Sequence, residues 1–160
     1  MIANPDLELF VGAAFEAFTA DLEIFLLPVL VLAAWTMVMW LWMYATRIPA
    51  MQKVGIDPDD ARHPGTYSDR LPANVRAVAD NYNHLHEAPT VFYAVMGFAA
   101  LTGGADAIAL YLAWAYVGLR VLHSLVQVMS PKVALRFFVF AASSLVLMAL
   151  VVKELLRVFL

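Results

Sequence analysis

A chain of 160 residues has room for one domain. Hydrophobic residues make up 63% of it and charged residues only 14%, and its mean hydropathy is +0.76. A soluble domain carries about 45–50% apolar residues, so disordered chains, collagens, coiled coils and almost all soluble globules are excluded. The net charge is −3 with no basic tract and no cysteine, which leaves no footing for nucleic acid, a disulfide framework or a thiolate metal site.

Residues 1–23 carry Asp6, Glu8, Glu16, Asp21 and Glu23 but no Lys or Arg, unlike a secretory signal. Their apolar stretch 7–20 either extends the first helix or lies in the membrane interface, and the sequence leaves both open. Residues 24–46 carry no charge and reach about 34 Å as a helix, enough for the ~30 Å hydrocarbon core. Trp and Met crowd this span, which suits lipid contact or helix packing. A long connection over 47–75 follows. It holds Pro49, Pro58, Pro64 and Pro72, and DPDDARHPG (57–65) reads as a turn-rich polar loop.

The second span covers 77–101 and is more polar in its first half. Pro89 should kink it just past Glu87. GGAD (103–106) leads to the third span, 107–129, and Ser130-Pro131 to the fourth, 131–152. Connections this short force antiparallel neighbours. The expected fold is all-α: a single membrane domain over 1–160, an antiparallel bundle of four transmembrane helices. Arg47, Lys53, Arg62, Arg70 and Arg76 flank or occupy the long loop, and Lys132 and Arg136 lie on the same side. The opposite side has only Lys153 and Arg157, so the long loop is expected in the cytoplasm and both termini across the membrane.

Polar residues inside a span are costly and usually functional. On the second span Arg76, Asp80, Asn83, His84, Glu87 and Thr90 share an arc of roughly 120°. On the third, Tyr116, Arg120, His123, Ser124 and Gln127 share a face. Glu87 lies about 15 Å and Arg120 about 14 Å from the cytoplasmic side, so an ion pair between them is expected. Such a pair can equally serve only to fix helix register. Arg136, early in the fourth span, would join them around a polar cavity. Three arginines, two histidines and several amides suit an anionic ligand. His84, His86, Glu87 and His123 have metal-ligand chemistry, but His86 points away and Arg120 opposes a cation, so no metal is expected.

The stretches ADNYNHLHEAPTVFYA (79–94), LRVLHSLVQ (119–127) and LRFFVFAASSLVL (135–147) resemble the MAPEG family, the membrane-associated proteins of eicosanoid and glutathione metabolism. The resemblance runs over about 24–155 and is nearest the bacterial branch. It implies a homotrimer in a bacterial inner membrane, with glutathione as co-substrate between subunits in the cytoplasmic half. It implies that Glu87, Arg120 and His123 bind glutathione. Arg136 would be the catalytic arginine that stabilises the thiolate, and Arg47 a contact across the interface. This chain departs from the family where His84 stands for the usual Asn, with Asn83 one residue off register. It departs again where Gln127 stands for a Tyr, and where Asp80 stands among residues that are arginines in the enzymes.

Glutathione has two carboxylates, an amine and a thiol. Arg76, Arg120 and Glu87 offer the complementary charges. A thiol with pKa near 8.5 is only a few per cent thiolate at pH 7, and an adjacent guanidinium favours the charged form. Two functions are therefore expected as alternatives. One is a glutathione-dependent transferase or peroxidase acting on lipophilic electrophiles. The other is a non-catalytic lipid-binding or scaffold membrane protein.

Overall fold

The computed structural model describes residues 5–57, 59 and 67–160. Most of the expected turn-rich stretch 57–65 lies outside the described residues. Five α-helices follow in order: α1 (Pro5–Lys53), α2 (Ala73–His84), α3 (Ala88–Leu101), α4 (Ala107–Met129) and α5 (Val133–Phe159), with a 3-10 turn at Ser68–Arg70 before α2.

α1 answers the question left open at the N-terminal end. It runs unbroken for 49 residues, so 7–20 belong to the same helix as the first span. At 1.5 Å per residue that is about 74 Å, more than twice the hydrocarbon thickness. Its apolar span is Asp21–Lys53. Pro28 and Pro49 lie inside it. Each removes one backbone hydrogen bond, a loss that helices in a packed, apolar setting tolerate. The helix thus outruns the expected boundary at residue 46. Its last turns are held by a small core of Ile56, Tyr67, Leu71 and Val75, against which Ala50, Met51 and Val54 pack. The long connection therefore folds back on the end of α1.

The expected second span is not one helix. α2 ends at His84, residues 85–87 leave the helix, and α3 begins at Ala88 with Pro89 in its first turn. The break lies before Glu87, where a kink just past it was expected. The reason is the direction of proline's effect: the ring opposes the carbonyl four residues earlier, that of Leu85. Among the described residues three helices are long and apolar enough to cross a membrane: Asp21–Lys53 of α1, α4 and α5. α3 alone, with 14 residues, reaches about 21 Å.

α4 sits at the centre, packed on α1, α2 and α5, while α3 lies against α1 and α5. Its inward face is Ala109, Ala113, Tyr116, Arg120, His123 and Gln127, a spacing of three and four residues. The small alanines let neighbours approach at one end. There Phe92, Met96 and Ala99 of α3 and Leu32 and Met39 of α1 complete a dry core. Toward the other end the same face turns polar. The outer face of α5 exposes Phe137, Phe138, Leu145 and Met148, a surface suited to hydrocarbon.

Candidate functional site

The polar stripe of α2 divides between two cavities. The first, about 280 Å³, opens between the end of α1 and α2. Met43, Arg47, Ser68, Leu71, Val75, Arg76, Ala79, Asp80, Tyr82 and Asn83 line it. Arg47 donates to the Tyr67 hydroxyl and stacks over that ring at 5.3 Å. Arg76 pairs with Asp69 at 3.2 Å. Asp80 and Asn83 make no side-chain hydrogen bond or ion pair among the described residues.

The second cavity, about 230 Å³, lies where α2 ends against α4 and α5. His84, His123, Val133, Arg136, Phe137 and Phe140 line it. The His84 and His123 rings meet edge to face at 6.3 Å, and His123 leans on Phe140 at 5.7 Å. Arg136 is exposed on this rim, and its side chain makes no hydrogen bond or ion pair among the described residues. An unpaired guanidinium beside aromatic walls is ready for an anionic group on an otherwise apolar ligand.

The expected Glu87–Arg120 ion pair is not formed. Glu87 accepts from, or shares a proton with, His84 Nδ1 at 2.9 Å, and its side chain is 63% exposed. Arg120 is 1% exposed and donates through Nη2 to the His84 carbonyl at 2.8 Å. The break explains both contacts. The His84 carbonyl keeps only a long 3.4 Å bond from the Glu87 amide, so it is open to the guanidinium. The non-helical turn 85–87 meanwhile swings Glu87 off the inward face.

Arg120 and Gln127 thus lie in the interior, His123 on the floor of the second cavity, and Glu87 outside both. Arg47, Arg76 and Asn83 line the first cavity, and His84 and Arg136 the second. The interior stripe is under-satisfied: Arg120 Nε and Nη1, Tyr116 Oη, both amide atoms of Asn81, His123 Nδ1 and Gln127 Oε1 lack a protein partner. Buried polar atoms are normally paired, so this stripe stands out against the apolar core around it.

Two features escape the sequence. Tyr67 and Leu71 reach the first site from the loop, and no periodicity announces them. The other is a clasp at the opposite end of the bundle. Lys153 bonds Asp106 at 2.6 Å and Glu154 at 2.7 Å, and Arg157 bonds Glu154 at 2.8 Å and the Thr102 carbonyl at 3.0 Å. Lys153 and Arg157 read only as topology charges until the fold brings the α3–α4 turn beside them. Asp106 also caps α4, accepting from the Ala109 amide at 2.8 Å.

Long apolar helices around a polar interior define an integral membrane protein. Residues 25–156 match the model of the MAPEG family, and the chain belongs to that family. No match is found among curated proteins or solved structures.

Proposed function

We propose that the protein is a membrane-bound, glutathione-dependent transferase or peroxidase for lipophilic electrophiles. The observation that carries this reading is Arg136, a cation whose side chain is unpaired among the described residues, on the rim of an aromatic-walled cavity beside His84 and His123. A thiol bound there loses its proton more readily next to the guanidinium. The thiolate then attacks the electrophile. With an alkyl or aryl halide a carbon–sulfur bond forms and halide leaves. With a hydroperoxide the O–O bond breaks, the alcohol leaves with a proton, the sulfur becomes a sulfenic acid, and a second glutathione thiol converts it to the disulfide with loss of water. Phe137 and Phe140 offer the apolar partner a surface at the edge of the lipid-facing side.

In this reading α2 and α3 together make the fourth crossing. The long loop is cytoplasmic, and both termini lie across a bacterial inner membrane. Family membership supports a homotrimer, in which neighbouring subunits would cover the exposed Asp80, Glu87 and Arg136, too costly to face lipid at membrane depth. Glutathione would bind Arg47, Arg76, Asn83, His84 and Glu87 across that interface, with His123 on the floor of the second cavity and Arg120 and Gln127 in the interior behind them.

The test is turnover of a lipophilic aryl halide with glutathione by the detergent-purified protein. Arg136→Ala should lower kcat about 10²- to 10³-fold, the cost of removing one preorganised electrostatic contact. The variant should keep the helical fold of the subunit, since the Arg136 side chain has no hydrogen bond or ion pair among the described residues. Unchanged turnover would remove Arg136 from the mechanism.

A second reading, lipid binding without catalysis, is favoured by a separate apolar groove of about 570 Å³ between α3 and α5. Val95, Phe98, Val151, Leu155 and Phe159 are among its walls. Tight lipid binding with no thiol turnover would establish it.

A further inference from the structure

We infer that His84 is the base that takes the thiol proton, with Glu87 holding its ring in the tautomer that can do so. The inference rests on the proposed thiol-dependent function and deepens it.

Forming a thiolate releases a proton, and Arg136 cannot take it. A guanidinium is already protonated and has no acceptor. It can hold the charge left on sulfur, but the proton needs a second group. Histidine is the side chain suited to that exchange near pH 7. Two histidines line the cavity with Arg136, His84 and His123.

Of the two, His84 is arranged as a base. Its Nδ1 lies 2.9 Å from Glu87 Oε2. A carboxylate only accepts, so the neutral ring carries its proton on Nδ1 and its lone pair on Nε2. Nε2 makes no hydrogen bond among the described residues. Once protonated, the ring forms an ion pair with Glu87 through the same contact. An imidazole oriented by a third group is the general device for activating a nucleophile. The backbone is held as well. The buried Arg120 guanidinium donates to the His84 carbonyl at 2.8 Å, which anchors the residue at the helix break.

His123 lacks this arrangement. Its Nδ1 is buried without a partner, and no carboxylate bonds it among the described residues. Arg120 is one turn away on α4 and Arg136 lies across the cavity. The charged and titratable groups around His84 are thus Glu87 on the turn, Arg120 and His123 on α4, and Arg136 on α5. Asp80, one turn earlier on α2, lines the other cavity.

The proton balance closes for both kinds of electrophile. The S–H bond breaks, its electron pair stays on sulfur, and the proton moves to His84 Nε2. With an aryl halide the carbon–sulfur bond forms, halide leaves with the bonding pair, and the ring returns its proton to water. With a hydroperoxide the ring protonates the departing alkoxide as sulfur becomes a sulfenic acid, and a second glutathione thiol converts that to disulfide and water.

The test is turnover of a lipophilic aryl halide at saturating glutathione by the full chain in detergent, followed across pH. His84→Asn should lower kcat about 10²-fold or more near pH 7, the contribution of one positioned base. The gap should close toward about pH 10, where a thiol with pKa near 8.5 ionises unaided. Imidazole added near pH 7 should restore turnover. Glu87→Gln should show a smaller loss with the same pH pattern, and Glu87→Asp, which keeps the carboxylate, should recover it. The His84 side chain is 41% exposed, and its carbonyl contact survives the substitution, so the variant should fold normally, which its melting temperature verifies. A loss equal at every pH and indifferent to imidazole marks a structural role and overturns the inference. Undiminished turnover in His84→Asn also overturns it and leaves the thiol-dependent function standing. So does a pH-dependent loss seen in His123→Asn and absent from His84→Asn. No turnover by the wild type removes the inference and the proposed function together.

Discussion

Glu154→Gln should destabilise the protein by about 2–3 kcal/mol, although it changes one atom and Glu154 lines neither polar cavity. Glu154 is 4% exposed, and its two oxygens accept from Lys153 at 2.7 Å and Arg157 Nε at 2.9 Å. Breaking a buried ion pair from one side costs about 3–5 kcal/mol, because the remaining charge stays desolvated. Here the loss is smaller. Lys153 keeps Asp106 at 2.6 Å and the Gly104 carbonyl at 3.1 Å, and Arg157 keeps Thr102. For a chain of this size each kcal/mol moves Tm by about 2–4 °C, so the expected drop is about 5–10 °C. The assay is thermal unfolding in one detergent, with wild type and Asp106→Asn alongside. The Asp106 side chain is 47% exposed, so its variant should lose less. A change in Tm below about 2 °C for Glu154→Gln would refute the claim that this clasp holds the α3–α4 turn to α5.

Further predictions concern the same clasp and the polar interior. A Cβ at Gly104 would fall against the Glu154 carboxylate and 2.9 Å from Arg157 Nε. Gly104→Ala should therefore cost about 1–3 kcal/mol, and the double variant with Glu154→Gln should lose less than the two single losses together, which a thermal-melt cycle would measure. Burial opposes ionisation of Asp106, but hydrogen bonds from Lys153 and the Ala109 amide outweigh it and lower its pKa. A lowered folded-state value contributes stability above the unfolded value of about 3.9 and loses it as pH falls through the folded value. Melts should therefore fall more steeply below about pH 4 in wild type than in Asp106→Asn, and identical acid limbs would contradict this. Arg120 is buried, and its guanidinium makes one hydrogen bond among the described residues, to the His84 carbonyl. Arg120→Ala should cost about 3–5 kcal/mol through the cavity it leaves, whereas Arg120→Met, which fills the volume without a charge, should melt within a few degrees of wild type.

Proline chemistry shows where a local signal is read correctly but its consequence is not. Pro89 announces a disturbed helix, yet its neighbours decide the form. The break frees the His84 carbonyl, and that carbonyl takes the guanidinium that matching depths had assigned to Glu87. Depth along a helix follows from residue counting. Partner choice depends on where an irregular turn points its side chains, which counting cannot supply.

Much of the protein is nonetheless determined by sequence alone. Uncharged runs such as 24–46 must leave water, and their length must span hydrocarbon. The inward face of α4 follows from three- and four-residue spacing, since a helix repeats every 3.6 residues. The stretches around 79–94 and 119–127 carry the family. Only the tertiary structure decided that the stripe of α2 serves two cavities, that Tyr67 meets Arg47, and that Arg76 pairs with Asp69 and not with Asp80. It alone joined Lys153, Glu154 and Arg157 to the turn at Thr102–Asp106. Those contacts link residues about 20 to 55 positions apart. Periodicity constrains neighbours on one helix, and the relative rotation and sliding of separate helices is set by packing the whole core at once.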